Sequence, residues 1–257
     1  MIERIETELA RIEHTYEVRT LFAVESGSRA WGFASPDSDY DVRFVYVHRR
    51  DWYLSVFEQR DVIEEMLPDK LDLSGWELRK TLRLFSKCNL ALNEWLGSPM
   101  VYSEAPGFRA ELTALMPAYF NPIAATHHYR RMAEQAMADG FAERRIGIKK
   151  LFYVLRALLA CRWVARARSQ PPTEFAKLVA QPWISADERS WIGALLVEKA
   201  EAAEGAQVQL SAKRIEALQR EAEGYKVAAE LLSGPTVERR RGELDEMLRR
   251  WIAASDQ

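Results

Sequence analysis

Asp39 and Asp41, separated by one tyrosine, lead into the apolar run DVRFVYVH, and ten residues stand between Asp39 and an upstream Gly-Ser pair, Gly27 and Ser28. Residues two apart on a strand point to one face, so the two aspartates could offer oxygen ligands to a shared hard cation such as Mg2+ while Tyr40 faces the other way. Gly27 permits a sharp turn and a close backbone approach to phosphate, and Ser28 adds a hydroxyl donor. Such parts suit an in-line displacement at the phosphorus of a triphosphate, where two metal ions can stabilise the attacking and the leaving oxygen. A third carboxylate from a separate element would orient the metals. Asp72, inside KLDLSGWELRK, is the candidate, because an unpaired carboxylate in an apolar strand is expensive to bury. The bland alternatives are an exposed Ser/Pro/Asp turn for Asp39 and Asp41, which is also the reading for Asp37, and a turn or helix-start residue for Asp72.

The elements that must position these groups are read from periodicity. Ile2, Ile5, Leu9, Ile12 and Tyr16 make one helical stripe, predicting a helix over 2–16. Short β-branched and aromatic runs predict strands at 20–25 and 42–47. A further strand at 61–66 is followed by the turn-like LPDK and a strand at 71–73, a hairpin whose second strand carries Asp72. Ser74 followed by Glu77 has the spacing of a capping box and predicts a helix start, and residues 89–96 form a short helix stopped by Gly97 and Pro99. Beyond Pro117 no strand is predicted, and helices are expected at about 121–139, 142–168, 185–203, 211–232 and 237–254. The expected architecture is α+β: a small mixed-sheet domain over residues 1–115, then an all-helical domain over 116–257 that closes one side of a cleft.

Composition bounds the rest. The chain has 257 residues, 48% of them hydrophobic, with a net charge of only -2, so any polyanion site must come from local clustering. Cys88 and Cys161 lack metal-ligand spacing and sit in helix-like apolar patterns, which reads as reduced, buried thiols. The charged, helix-periodic N-terminus is unlike a signal peptide, and no apolar run approaches the roughly 20 residues that span a bilayer, so a soluble cytoplasmic protein without membrane partners is expected.

The GS and DYD motifs with their spacing are similar to the signature of the polymerase-beta-like nucleotidyltransferase superfamily. The segments DSDYDVRFVYVH, LDLSGWELRK, NEWLGSPMVY and IKKLFYVLRALLACRW more narrowly resemble the RNA-repair-pathway DNA polymerase beta family of predicted nucleotidyltransferases, over about residues 22–166. The resemblance implies that Gly27 and Ser28 bind a nucleoside triphosphate, that Asp39 and Asp41 ligate Mg2+ or Mn2+, and that Asp72 completes a catalytic triad and helps position or deprotonate the acceptor hydroxyl. It implies transfer of a nucleoside monophosphate to a hydroxyl with release of pyrophosphate, an RNA end being one acceptor. Protein and small-molecule hydroxyls are the alternatives within the class, and a non-catalytic nucleotide-binding regulatory module is the alternative outside it.

Residues 144–168 hold eight Lys or Arg residues. Lys149, Tyr153 and Arg156 share one helical face, with Arg145 a turn earlier, and this face either binds phosphate oxygens or is a solvated basic face opposite a core side of Leu151, Leu155, Leu158 and Leu159. Arg43 shares the side of the aspartates and either touches phosphate or balances their charge, and Arg29 either reaches a phosphate or is solvated. Trp31, Tyr40 and Trp76 either stack on a base or pack. His14, His48, His127 and His128 offer no ligand pair, and Glu94 is read as a local cap or salt-bridge partner. Base preference, acceptor, oligomeric state and the role of the C-terminal helices are not written in these motifs.

Overall fold

The structure is a computed structural model that describes all residues except 36, 139, 142–143, 202–204, 235–240 and 257. In chain order the elements are α1 (Ile2–Tyr16), β1 (Val18–Glu25), α2 (Gly27–Trp31), β2 (Tyr40–His48), α3 (Arg50–Tyr53), β3 (Val62–Leu67), β4 (Leu71–Glu77), α4 (Leu78–Ser86), α5 (Leu90–Leu96), β5 (Val101–Glu104) and α6 (Phe108–Tyr119). There follow α7 (Pro122–Ala138), β6 (Arg145–Gly147), α8 (Ile148–Ala167), α9 (Phe175–Val179), α10 (Ala186–Glu201), β7 (Gln207–Gln209), α11 (Ala212–Glu230) and α12 (Arg241–Ser255). The chain divides into two compact units. One contains Met1–Ala30, Ser38–Tyr119 and the final helix α12; the other contains Trp31–Asp37 and the chain from Phe120 through α11.

The first unit is built on a five-stranded sheet in the order β3-β4-β2-β1-β5, with β2 and β4 parallel and the other pairs antiparallel. Strand alternation splits its side chains between two cores. Val42, Phe44 and Tyr46 face the layer formed by Ile5, Leu9 and Ile12 of α1, each buried apolar side chain contributing roughly 2 kcal/mol. Val45 and Val47 face the opposite layer, with Leu78, Leu82 and Phe85 of α4, Trp95 of α5, and Leu244, Met247 and Trp251 of α12. Gly75 is required by close approach: a Cβ there would lie 2.2 Å from Cε2 of Phe44, its register partner across the β2–β4 pair.

The hairpin of β3 and β4 forms as expected, but the capping box does not. β4 continues through Ser74 to Glu77, and Glu77 is itself the N-cap of α4, its carboxylate accepting from the backbone N–H groups of Arg79 (2.8 Å) and Lys80 (3.0 Å). Ser74 is extended because it pairs with Glu64 on one side and Arg43 on the other. The last helix, placed by periodicity in the helical half, packs in the first unit, with Trp251 edge-on to Phe108 and Arg250 donating to Glu111 at 2.6 Å. Its expected start at 237 lies outside the described residues.

The second unit is mainly helical. α7 and α8 pack together, α11 packs against both, and Arg162 of α8 ties in α10 and α11 through Glu188 and Glu221, each at 2.8 Å. The expectation of a purely helical second half is corrected by β6 and β7, which pair antiparallel. Three residues are too few for an alternation pattern to register. The helix expected from 142 begins at Ile148, after β6, and residues 142–143 lie outside the described residues. Among the described residues no helix is long and apolar enough to cross a membrane.

Candidate active site

Parallel pairing of β2 with β4 puts Asp41 directly opposite Asp72, and Arg43 opposite Ser74. Alternation carries Asp41 and Arg43 onto the face of Val45 and Val47, so the carboxylates stand at the end of an apolar layer rather than within it. The Arg43 guanidinium joins them: Nη2 donates to Asp41 Oδ1 at 3.2 Å and to Asp72 Oδ2 at 2.8 Å, while Nη1 donates to the Asp72 carbonyl at 3.2 Å. The three side chains keep 20–29% of their surface exposed, so the cluster is open to ligands and its ion pairs are partly solvent-screened. Of the two readings of Arg43, the geometry displays charge balance.

Asp39 lies one residue before β2 and is exposed, so the strand places Asp41 and Arg43 on a common face but does not include Asp39. The loop carrying it is held by Arg29, whose Nε donates to the Asp39 carbonyl at 3.0 Å and whose Nη2 donates to the Ser38 carbonyl at 2.7 Å. The same guanidinium stacks 3.8 Å from the Tyr40 ring centroid.

The Gly-Ser pair opens the short helix α2. Gly27 has φ +60°, and a Cβ there would sit 2.2 Å from Asp41 Oδ2, so the Asp41 carboxylate lies directly against the bare backbone and a side chain there would clash with it. Ser26 N–H donates to the Asp41 carbonyl at 2.8 Å, fixing this turn to β2, and Ser28 is buried.

Glu25 was missed by motif reading. It is fully buried at the end of β1, its Oε1 accepts the Asp41 backbone N–H at 2.9 Å, and its Oε2 accepts the Tyr102 hydroxyl. Burial pushes its carboxyl above the usual range, and the hydrogen bonds from Tyr102 and Asp41 partly counter that. A single acidic residue closing the apolar run TLFAVE was the available signal.

Asp39, Asp41 and Asp72 suit a hard divalent cation in donor chemistry, since all are carboxylates, and the Asp41 and Asp72 side chains keep 29% and 27% of their surface exposed. They are not a closed cage: among the described residues no three His, Cys, Asp or Glu side chains come together as a metal-holding group. His48 stacks on Trp52 at 4.3 Å with an interplanar angle of 7°. Cys88 and Cys161 are buried and are not joined in a disulfide, as expected.

Lys149, Tyr153 and Arg156 all belong to α8 in the second unit. Arg156 is buried, lies 4.2 Å over the Trp31 ring and donates to the Thr173 carbonyl at 3.4 Å; Tyr153 meets Trp31 edge-on at 5.0 Å. Lys149 is exposed and, with Tyr153, lines a cavity of about 560 Å³ between α7 and α8. Trp31 is thus a packing residue shared by Tyr153 and Arg156, Trp76 packs on Trp95 at 4.1 Å, and Tyr40 is covered by Arg29.

The chain is 51% identical over 191 residues to the uncharacterized protein YcgL of Bacillus subtilis (strain 168), covering 73% of this chain and 74% of that protein. It is also similar to the crystal structure of a nucleotidyltransferase-like protein from Exiguobacterium sibiricum 255-15, at 11% identity and a TM-score of 0.29, over 88% of this chain and 74% of that one. The model of the RNA repair pathway DNA polymerase beta family matches residues 1–250, and the chain belongs to that family.

Proposed function

We propose that the protein is a polymerase-beta-like nucleotidyltransferase that moves a nucleoside monophosphate from a nucleoside triphosphate to a hydroxyl, with Mg2+ or Mn2+ as cofactor. The observation that carries this reading is the opposed pair Asp41 and Asp72, with Asp41 packed against the Gly27 turn, in a chain of this family. The acceptor oxygen bonds to the α-phosphorus, the bond from that phosphorus to the bridging oxygen breaks, pyrophosphate departs, and the hydroxyl proton is lost. Asp41 and Asp72, with Asp39 from the adjoining loop, would hold the divalent cation, which supplies neutralisation of the charge on the phosphoryl oxygens.

The remaining roles fall to the chain itself. Asp72 positions the acceptor hydroxyl or takes its proton. Arg43 keeps the two carboxylates from repelling one another before ligands arrive. Glu25 is a positioning residue that holds the Asp41 backbone through a hydrogen bond. Gly27, lacking a side chain, lets the Asp41 carboxylate pack against the turn, and Ser28 follows it in the same turn.

An RNA end is the acceptor class we favour, supported by the family's description and by the basic character of α8. The test offers nucleoside triphosphates labelled at the α-phosphate, with Mg2+ or Mn2+, to separate pools of RNA, DNA, protein and small polyols, using wild type and an Asp39→Ala, Asp41→Ala variant. Label in RNA only, falling steeply with ionic strength, supports the reading. Label confined to protein or small molecules would move the acceptor to that class, and none in any pool would leave a nucleotide-binding module.

A further inference from the structure

Arg43 holds the oxygens that a cation shared by Asp41 and Asp72 would need. Its Nη2 lies between the two opposed carboxylates, 3.2 Å from Asp41 Oδ1 and 2.8 Å from Asp72 Oδ2, so one cationic nitrogen serves both. The other oxygen of Asp41, Oδ2, is packed against the Gly27 turn. A divalent cation bridging the pair would compete for the oxygens that Arg43 holds and would meet the guanidinium as a like charge. Arg43 in this position and a shared metal therefore exclude one another.

The hold on Arg43 is suited to release. Charge-assisted N–H···O bonds run at about 2.7–2.9 Å, and only the Asp72 carboxylate contact, at 2.8 Å, falls in that range. The Asp41 contact and the two donations from Nη1, to the carbonyls of Val42 and Asp72, are all at 3.2 Å. The side chain is also partly exposed, so the guanidinium has a solvent side toward which it can turn. Once released it is a planar fork of donors whose geometry matches phosphate oxygens, tethered to the same strand as Asp41. A triphosphate offers it the anionic oxygens that a metal ion alone does not.

We propose that Arg43 is a triphosphate-binding residue that exchanges partners: in the protein alone it holds Asp41 and Asp72, and as metal enters with nucleotide it passes to the phosphate oxygens. This role of Arg43 rests on the nucleotidyltransferase reading and deepens it. Arg43 opposes binding of metal alone and favours binding of metal with nucleotide, so each of those ligands tightens the other.

The experiment uses full-length wild type, Arg43→Gln and Arg43→Lys. Binding of Mn2+ alone is followed by electron paramagnetic resonance. Calorimetry in Mg2+ gives the affinity for a nucleoside triphosphate with a methylene bridge between the α- and β-phosphorus, which cannot release pyrophosphate. Arg43→Gln is expected to bind Mn2+ about tenfold or more tightly than wild type and the nucleotide about tenfold or more weakly, since a competing cation and a charge-assisted phosphate contact are lost together. Arg43→Lys keeps the charge without the fork, so its Mn2+ affinity should stay near wild type while nucleotide binding weakens. Loss of structure would weaken both ligands, whereas Arg43→Gln is expected to move them in opposite directions. Should Arg43→Gln fail to fold, the lysine variant and NMR of 15N-arginine wild type decide, with the Arg43 side-chain signals, assigned by their loss in Arg43→Lys, shifting when nucleotide and Mg2+ are added. Mn2+ binding by Arg43→Gln no tighter than wild type, unchanged nucleotide affinity, or Arg43 signals that do not move overturns the proposal. With nucleotide still bound by the wild type, only this role of Arg43 falls; if the wild type binds no nucleotide, the nucleotidyltransferase reading falls with it.

Discussion

Replacing Arg43 with glutamine should weaken the protein without metal and enlarge its response to Mg2+. Arg43 donates to both Asp41 and Asp72, at 3.2 and 2.8 Å, and those aspartates face each other across paired strands. With the guanidinium gone, two like charges about 5 Å apart at an effective dielectric of about 20 to 40 repel by roughly 2 to 3 kcal/mol. Partial exposure brings the expected loss toward the lower end, about 2 kcal/mol in urea denaturation at low salt, shrinking as salt is raised. The cation then no longer competes with the Arg43 guanidinium. At Mg2+ a hundredfold above its dissociation constant, stability should return by about 2.7 kcal/mol, and the variant should show a larger metal-dependent rise in midpoint than wild type. A double variant, Arg43→Gln with Asp72→Asn, should lose both effects. If Arg43→Gln matches wild type with and without Mg2+, the carboxylates do not form the mutually repelling pair described.

Gly27→Ala places a methyl in the Asp41 carboxylate at a left-handed φ, so it should cost about 1 to 3 kcal/mol and reduce nucleotidyl transfer more than tenfold while circular dichroism stays native; near-normal transfer would show that the close Gly27–Asp41 packing is dispensable. Glu25→Ala removes the acceptor for the Asp41 N–H and the Tyr102 hydroxyl and should cost about 2 to 3 kcal/mol, whereas Glu25→Gln, which keeps an acceptor without a buried charge, should cost much less by chemical denaturation at neutral pH. Equal losses would mean that the charge rather than the hydrogen bond matters. Burial lowers the His48 imidazole to about 4. The folded state therefore resists protonation that the unfolded chain accepts near pH 6.5, and stability present above that value should fall as pH drops toward 4, by of order 2 kcal/mol after allowance for residual exposure. His48→Phe, which can still stack on Trp52, should remove that slope in pH-dependent denaturation; an unchanged slope would assign it elsewhere.

Much of the frame was legible because local patterns were strong: the α1 stripe, the apolar runs of β1 and β2, and the hairpin bringing Asp72 into a strand all follow from periodicity and turn residues. Other features depend on partners distant in sequence. The pairing of Asp41 with Asp72 is a matter of register between strands 31 positions apart, and Arg43 answers to both only once that register exists. Glu25 looks like a stray charge until Asp41 and Tyr102 arrive beside it. Ser74 had the spacing of a cap, but two strand neighbours claimed its backbone. α12 is amphipathic wherever it packs, so periodicity could not say that its apolar face joins the sheet unit.

The central claim is that the carboxylates of the sheet unit serve transfer of a nucleotidyl group. It is tested most directly by measuring pyrophosphate release together with acceptor labelling, from a nucleoside triphosphate labelled at the α-phosphate, with wild type, Asp41→Asn and Asp72→Asn side by side in Mg2+ and an RNA pool. The account predicts that label enters the acceptor in step with pyrophosphate for wild type and that both disappear in either variant while the fold is retained. Equal release and labelling by wild type and both variants would contradict it, as would nucleotide binding by the wild type with neither product formed.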